Sequence, residues 1–199
     1  MKSNSRFRTA SKRALAIWAI SLAWGAAAGA QPRAIDTEKS AMTVRVYKAG
    51  VFSAFGHDHQ IAAPIAAGKM DSAAHTVEIQ VKAGALKVRD PNISDKDRAE
   101  IQSTMLGPEV LDAASHPEIV FRSTTATPGG AGSWTVNGNL TLHGQTRPVK
   151  VEVKEAAGHY VGTCQFKQTE FGITPIKVAG GAIRVKDEIL IEFDIQLAH

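Results

Sequence analysis

The chain has a single cysteine, Cys164, in 199 residues. One thiol cannot form an intramolecular disulfide, so the core must hold without staples, which this length permits. Aromatic residues are scarce at 6%, which argues against a stacked-ring platform for nucleic acid. Acidic residues are missing before Asp36, whereas five of the 23 Lys and Arg lie in the first 13 residues. Beyond residue 30, 18 bases face 19 acids, a net charge of −1. The overall charge of +4 is thus a property of the N-terminus, and no nucleic-acid partner is expected from it. Gly-x-Ser-x-Gly, phosphate-loop, Cys-x-x-Cys and His-Glu-x-x-His motifs are all lacking, and Glu100 and Glu118 are lone carboxylates. An enzyme is therefore poorly supported.

What the N-terminus does contain is an address. Lys2, Arg6, Arg8, Lys12 and Arg13 precede an uncharged, mostly apolar run from Ala14 to Ala30 that ends in Ala28-Gly29-Ala30. This is the charge, apolar run and small-x-small order of a secretory signal peptide, cleaved between Ala30 and Gln31. At 17 residues, diluted by Ser and Gly, the run is short for the alternative, an uncleaved membrane span of about 20. Residues 1–30 are read as the signal and 31–199 as one domain, exported to the periplasm.

The body alternates with period two. Ile189, Ile191, Phe193, Ile195 and Leu197 fall on one face of a strand, and Glu192, Asp194 and Gln196 on the other. Val149-Val151-Val153, Val77-Ile79-Val81, Ile119-Phe121-Ser123 and Trp134-Val136-Leu140-Leu142 repeat the pattern against polar neighbours. One dry and one wet face is the mark of antiparallel sheet. Pro128-Gly129-Gly130, Gly144-Gln145, Ala157-Gly158 and Gly180-Gly181 read as turns between the runs. No βαβ rhythm occurs. The expectation is an all-β, eight-stranded antiparallel β-barrel, closed to remove its edges, with an interior just wide enough for one slender ligand. One short helical insertion, about 94–106, breaks the pattern. Ser94 caps it, Asp95 and Asp97 suit its positive end, and Gly107-Pro108 stop it. Ile101 and Met105 form its apolar stripe; it is either a cover for one barrel end or a surface helix.

Gly56-His57-Asp58-His59 is the sharpest local feature. On a strand, His57 and His59 share a face, which could begin a metal site, but zinc wants three or four ligands. His75, His116 and His143 are the candidates for a third. Asp58 could instead fix a histidine tautomer, and the residues could equally line a barrel mouth or meet a ligand head group. His116, before Pro117, reads as a turn, and His143 as a solvated strand end. Cys164 alternates with Tyr160, Gly162 and Phe166, as a small core residue rather than a nucleophile.

Gly138-Asn139-Leu140-Thr141-Leu142-His143-Gly144-Gln145-Thr146-Arg147-Pro148-Val149 resembles the G-x-L-T-[LI]-x-G-x-[TS]-[KR]-P-V signature of the YceI-like family of periplasmic polyisoprenoid-binding proteins. Pro117-Glu118-Ile119-Val120-Phe121-Arg122-Ser123 and Phe171-Gly172-Ile173 resemble that family's P-x-I-x-F-x-S and F-G-[IV] stretches. The resemblance runs over roughly residues 35–198. Gly56-His57-Asp58-His59 departs from the mostly apolar or small residues expected near the start. The resemblance implies a lipocalin-like barrel holding a polyisoprenoid or an isoprenoid quinone, as carrier or sequestering protein, with transient membrane contact and no required cofactor. Phe52, Phe55, His57, His59, Phe121, Trp134, Leu140, Leu142, Phe166, Phe171 and Phe193 are then the ligand-binding candidates. The rival reading is a metal-binding protein or metal-dependent enzyme built on His57, Asp58 and His59; a filled barrel with no ligand is a third. A C40 chain at about 0.3 kcal/mol per heavy atom would reach about 12 kcal/mol, nanomolar affinity. Oligomeric state is left open.

Overall fold

A computed structural model describes residues 31–49, 58–178, 180 and 183–198. Residues 1–30, read from the sequence as a signal, and the residues Phe52, Phe55 and His57 lie outside them. Twelve strands form one antiparallel sheet. In chain order they are β1 (Arg33–Ala34), β2 (Ala41–Ala49), β3 (His59–Ala62), β4 (Ile65–Asp71), β5 (Thr76–Lys82), β6 (Lys87–Val88), β7 (Glu118–Gly130), β8 (Ser133–Leu142), β9 (Gln145–Ala156), β10 (His159–Lys167), β11 (Lys177–Val178) and β12 (Ile183–Gln196). Eight of these have seven residues or more, which matches the expected strand number; the other four are pieces of two to four residues at bends and seams.

The sheet runs β1-β4-β5-β7-β8-β9-β10-β12-β2-β3-β6 and curls into a barrel. β3 pairs with β2, then continues through Ala63 and Pro64 into β4, which pairs with β5. Residues 33–36 make a second seam. β1 pairs with β4, the Asp36 amide donates to the Gln196 carbonyl at 2.8 Å, and the Ala198 amide donates to the Ala34 carbonyl at 2.9 Å. Between them, Ile35 drives its side chain against Gly68, where a Cβ would come within 2.5 Å of it. These seams cover part of the sheet's edge, while β6, paired with β3 alone, ends the strand order.

The hairpins are set by local chemistry. His143-Gly144 and Ala157-Gly158 both have positive φ at the two turn positions, 50° and 69°, and 52° and 83°. That is the twist-matched two-residue turn, and glycine supplies the second position without strain. The turn between β7 and β8 lies at Ala131-Gly132, so Pro128-Gly129-Gly130 belongs to the end of β7 rather than to a loop.

Helix α1 (Asp95–Leu106) begins at Ser94, whose hydroxyl accepts the Asp97 amide at 3.1 Å. Met105 is buried, and Ile101 and Leu106 pack against the core. Gln102 fastens the helix to the sheet: its amide accepts from Val88 N–H at 2.9 Å and donates to the Leu86 carbonyl at 2.8 Å. Arg98 donates to the Asp90 carbonyl at 2.6 Å. Together with Leu86, Val88, Leu111, Phe171 and Ile173, α1 fills one end of the barrel.

Candidate functional site

The other half of the barrel is hollow. A cavity of about 300 Å³ lies between β5, β7, β8, β9, β10 and β12. Its walls are inward-facing residues that alternation delivers: Ile79, Val136, Leu140, Val149, Val151, Val153, Cys164, Ile191 and Ile195. Two aromatic rings shape it, and each rests on a glycine of a neighbouring strand. A Cβ on Gly138 would fall 2.5 Å from the Phe121 ring, and one on Gly162 would fall 2.6 Å from the Phe193 ring. These glycines occupy inward positions because a ring takes the space. A bulge in β7 between Ser123 and Thr125 then shifts the alternation by one, so that Ala126 rather than Thr125 lines the cavity.

The mouth lies at the end opposite α1, where Asp71, Ser72, His75, Thr76, Trp134, Glu155 and Tyr160 line it. His75, at φ 52° in the β4–β5 turn, packs against Trp134 with ring centroids 5.0 Å apart and the rings tilted by 40°. Tyr160 sits directly across the β9–β10 ladder from Glu155 and its hydroxyl donates to that carboxylate at 3.4 Å. Burial, and then the Glu155 charge, push the Tyr160 hydroxyl above its ordinary range. Burial also raises the Cys164 thiol to about 11, so it stays protonated in the cavity wall.

Of the sequence-predicted residues, Phe121, Trp134, Leu140 and Phe193 line the cavity. Leu142, Phe166 and Phe171 do not. They belong to the packed end, where the Phe166 and Phe171 rings meet edge to face at 5.1 Å. The mouth residues Ser72, His75, Glu155 and Tyr160 were not among the ligand-binding candidates. Glu155 carries the one readable signal, since it continues the inward series Val149-Val151-Val153 with a charge.

The signature stretch builds the closed end. His143 Nδ1 lies 3.1 Å from the Phe171 carbonyl, and Arg147 Nε donates to the Glu170 carbonyl at 3.0 Å. His116 packs edge-on against His143, at 5.2 Å between centroids, and over Gly144. From the opposite side, Thr169 is held by Asp187 at 2.7 and 3.0 Å, and the buried Gln168 donates to the Lys186 carbonyl at 2.7 Å. The result is a plug, Phe171-Gly172-Ile173, with Phe171 fully buried and Gly172 in the left-handed region at φ 76°.

His59 lies near this closed end, away from the cavity mouth. Its Nδ1 is 2.6 Å from Asp90, a carboxylate only 1% exposed, whose other oxygen accepts the Gln60 amide at 2.6 Å. The residue that orients His59 is therefore Asp90, 31 positions away. Asp58 accepts the Lys48 amide instead, at 3.0 Å. His57 lies outside the described residues, and among the described residues no three His, Cys, Asp or Glu side chains come together as a metal site.

A curled antiparallel barrel with one plugged end and one open, apolar-walled end is consistent with binding a hydrophobic ligand. The family comparison agrees. A model for the YceI-like domain matches residues 34–197, and the chain belongs to that family. A UPF0312 protein of Vibrio parahaemolyticus is 32% identical over 116 residues, 53% of this chain and 59% of the relative. One from Shewanella sp. is 28% identical over 170 residues, 79% of this chain and 85% of the relative. The match thus spans under two thirds of the length of the Vibrio relatives. Among solved structures, Burkholderia cenocepacia BcnA superposes with a TM-score of 0.59 at 20% identity, covering 83% of this chain and 99% of that one. At that identity the likeness speaks for the fold.

Proposed function

We propose that the protein is a periplasmic carrier or sequestering protein that holds an apolar, isoprenoid-type lipid in the barrel, and not an enzyme. The observation that carries this reading is the cavity of about 300 Å³, apolar along its walls and polar only at its mouth. A ligand whose long part is apolar and whose end is polar matches that gradient, and its apolar part gains about 0.8 kcal/mol per buried CH₂. At about 30 Å³ for a water-sized group, the cavity takes roughly ten carbons, or two prenyl units. A longer polyisoprenoid or a quinone tail would leave the rest of its chain at or beyond the mouth, next to the membrane that supplies it. Export rests on the basic residues and apolar run of residues 1–30.

Native mass spectrometry of the protein isolated from its own host tests this. The expected result is a polypeptide starting at Gln31, with a mass excess of several hundred daltons that organic solvent extracts. An excess equal to one metal ion, removed by chelator, would overturn it in favour of the histidine-centred reading. A bare polypeptide that also fails to take up added farnesol would overturn it in favour of a ligand-free barrel.

A further inference from the structure

The inward row of β9 runs Val149, Val151, Val153 and then, at the mouth, Glu155. An apolar residue would continue the wall; a carboxylate ends it instead. Directly opposite on β10, the inward row Phe166, Cys164, Gly162 ends in Tyr160, whose hydroxyl points its proton at Glu155. Asp71 closes the rim from the β4–β5 turn, with one carboxylate oxygen accepting the amides of Ala73 and Ala74 at 2.9 Å.

No Lys or Arg is among the described residues that line the cavity. The cations nearby are already engaged. Lys69 and Arg122 are 3.6 and 2.8 Å from Glu78, and Arg33 donates to the Ala198 carbonyl at 2.7 Å. The residues that line the rim therefore include two carboxylates, Asp71 and Glu155, against one histidine, His75; Arg33, held on the Ala198 carbonyl, acts on Tyr160 from outside this lining.

We propose that this rim selects ligands by head-group charge. It admits an apolar chain that ends in a neutral or cationic hydrogen-bonding group and turns away one that ends in a phosphate or a carboxylate. The proposal rests on the reading of the cavity as an apolar-ligand site and narrows its ligand class. A hydroxyl or carbonyl head can exchange hydrogen bonds with Tyr160 and Glu155, and an ammonium can pair with Glu155. An anionic head would leave water to face the Glu155 and Asp71 carboxylates with no Lys or Arg among the described lining residues to receive it, a juxtaposition that costs enough to lower affinity at least about tenfold.

Three ligands sharing one chain separate the possibilities: farnesol, farnesylamine and farnesyl monophosphate, titrated by calorimetry below their micelle concentrations at pH 7.5. The alcohol and the amine are expected to bind, with the phosphate at least tenfold weaker. Raising the salt should narrow that gap, because screening weakens exposed like-charge repulsion, and Glu155→Gln should narrow it further. Phosphate binding as tight as the alcohol would overturn the proposal while leaving the cavity reading intact. An unchanged ratio in Glu155→Gln would remove Glu155 from it. Failure of all three ligands to bind would overturn the cavity reading itself, and the proposal with it.

Discussion

Filling the cavity from its own wall separates ligand binding from folding. Ala126 faces the cavity from β7, opposite Val136 in the β7–β8 ladder. Ala126→Leu adds three carbons, roughly 90 Å³ at about 30 Å³ each, to a space of about 300 Å³. A leucine that extends into this space avoids the usual overpacking cost. Burial of three carbons contributes about 2.4 kcal/mol at 0.8 kcal/mol each, less roughly 0.5–1 kcal/mol of side-chain entropy. The net is about 1.5 kcal/mol, or a Tm raised by about 3–6 °C in a chain of this size. Leucine also suits a strand better than alanine. Ligand and leucine then compete for one volume, and farnesol affinity should fall at least about tenfold. Trp134 reports on binding directly in a protein that starts at Gln31: it lies at the mouth, and the only other tryptophans in the sequence, Trp18 and Trp24, fall within residues 1–30. Thermal melts and tryptophan-fluorescence titrations with farnesol therefore read both quantities on one sample. A Tm lowered by several degrees would mean that the space is not there. A raised Tm with unaltered farnesol binding would mean that the ligand sits elsewhere.

Three further outcomes follow from other parts of the barrel. Asp90→Ala leaves the Gln60 amide and His59 without their buried acceptor; a loss of about 2–4 kcal/mol in urea denaturation is expected, with farnesol affinity within twofold of wild type because Asp90 lies away from the mouth. The Cys164 thiol, raised to about 11 from an ordinary 9, should alkylate about a hundredfold more slowly at pH 8 in the native protein than in urea; equal rates would show that the wall is not dry. Hydrogen bonds and ion pairs hold four carboxyls below their ordinary range: Asp36 through the Lys39 amide, Glu78 through Gln80 and Arg122, Glu118 through Lys82 and Glu152 through Lys150. Their lowered folded-state values mean that the stabilisation is present above the unfolded range near pH 4 and is lost as pH falls below it. The urea midpoint should fall from pH 5 to pH 3, less steeply in high salt, and a flat profile would refute the assignment.

Much of the barrel was legible because a strand's faces follow from parity alone. Val149-Val151-Val153 and Ile189-Ile191-Phe193-Ile195 point inward as their alternation requires. Helix α1 was legible because Ser94, Asp95 and Asp97 meet the local needs of a helix start. What alternation cannot show is a change of phase or a distant partner. The bulge after Ser123 reverses the parity of β7 as far as a second irregularity at Pro128–Gly130, and nothing in Thr124-Thr125-Ala126 announces it. The turn glycines of 128–130 were assigned one step too early, since Gly129 and Gly130 can extend a strand as readily as end it. Gly138 and Gly162 each leave the space for a ring on the next strand, which the pattern of their own strands does not reveal. Asp90 was invisible as the partner of His59 because nothing local relates positions 31 apart, whereas Asp58 was adjacent and tempting.

The division of labour along the barrel axis explains why a family signature can be plain while the ligand is not. Its residues from Gly138 to Val149 make a tight turn, a glycine seat for Phe121, and two side chains, His143 and Arg147, that hold the carbonyls of Phe171 and Glu170. Each of these demands is met by backbone geometry and by few residue types, so the stretch reads as a motif. The mouth makes no such demand. His75 does occupy a left-handed position in its turn, but Trp134, Glu155 and Tyr160 sit at strand ends, where many side chains satisfy the backbone equally well. A barrel plugged by fixed chemistry at one end can therefore change its ligand through substitutions at the other without disturbing the fold. Under the proposed function, the selectivity of this chain is to be sought in the Glu155–Tyr160 pair and the His75–Trp134 contact, and not in the stretch that identifies its family.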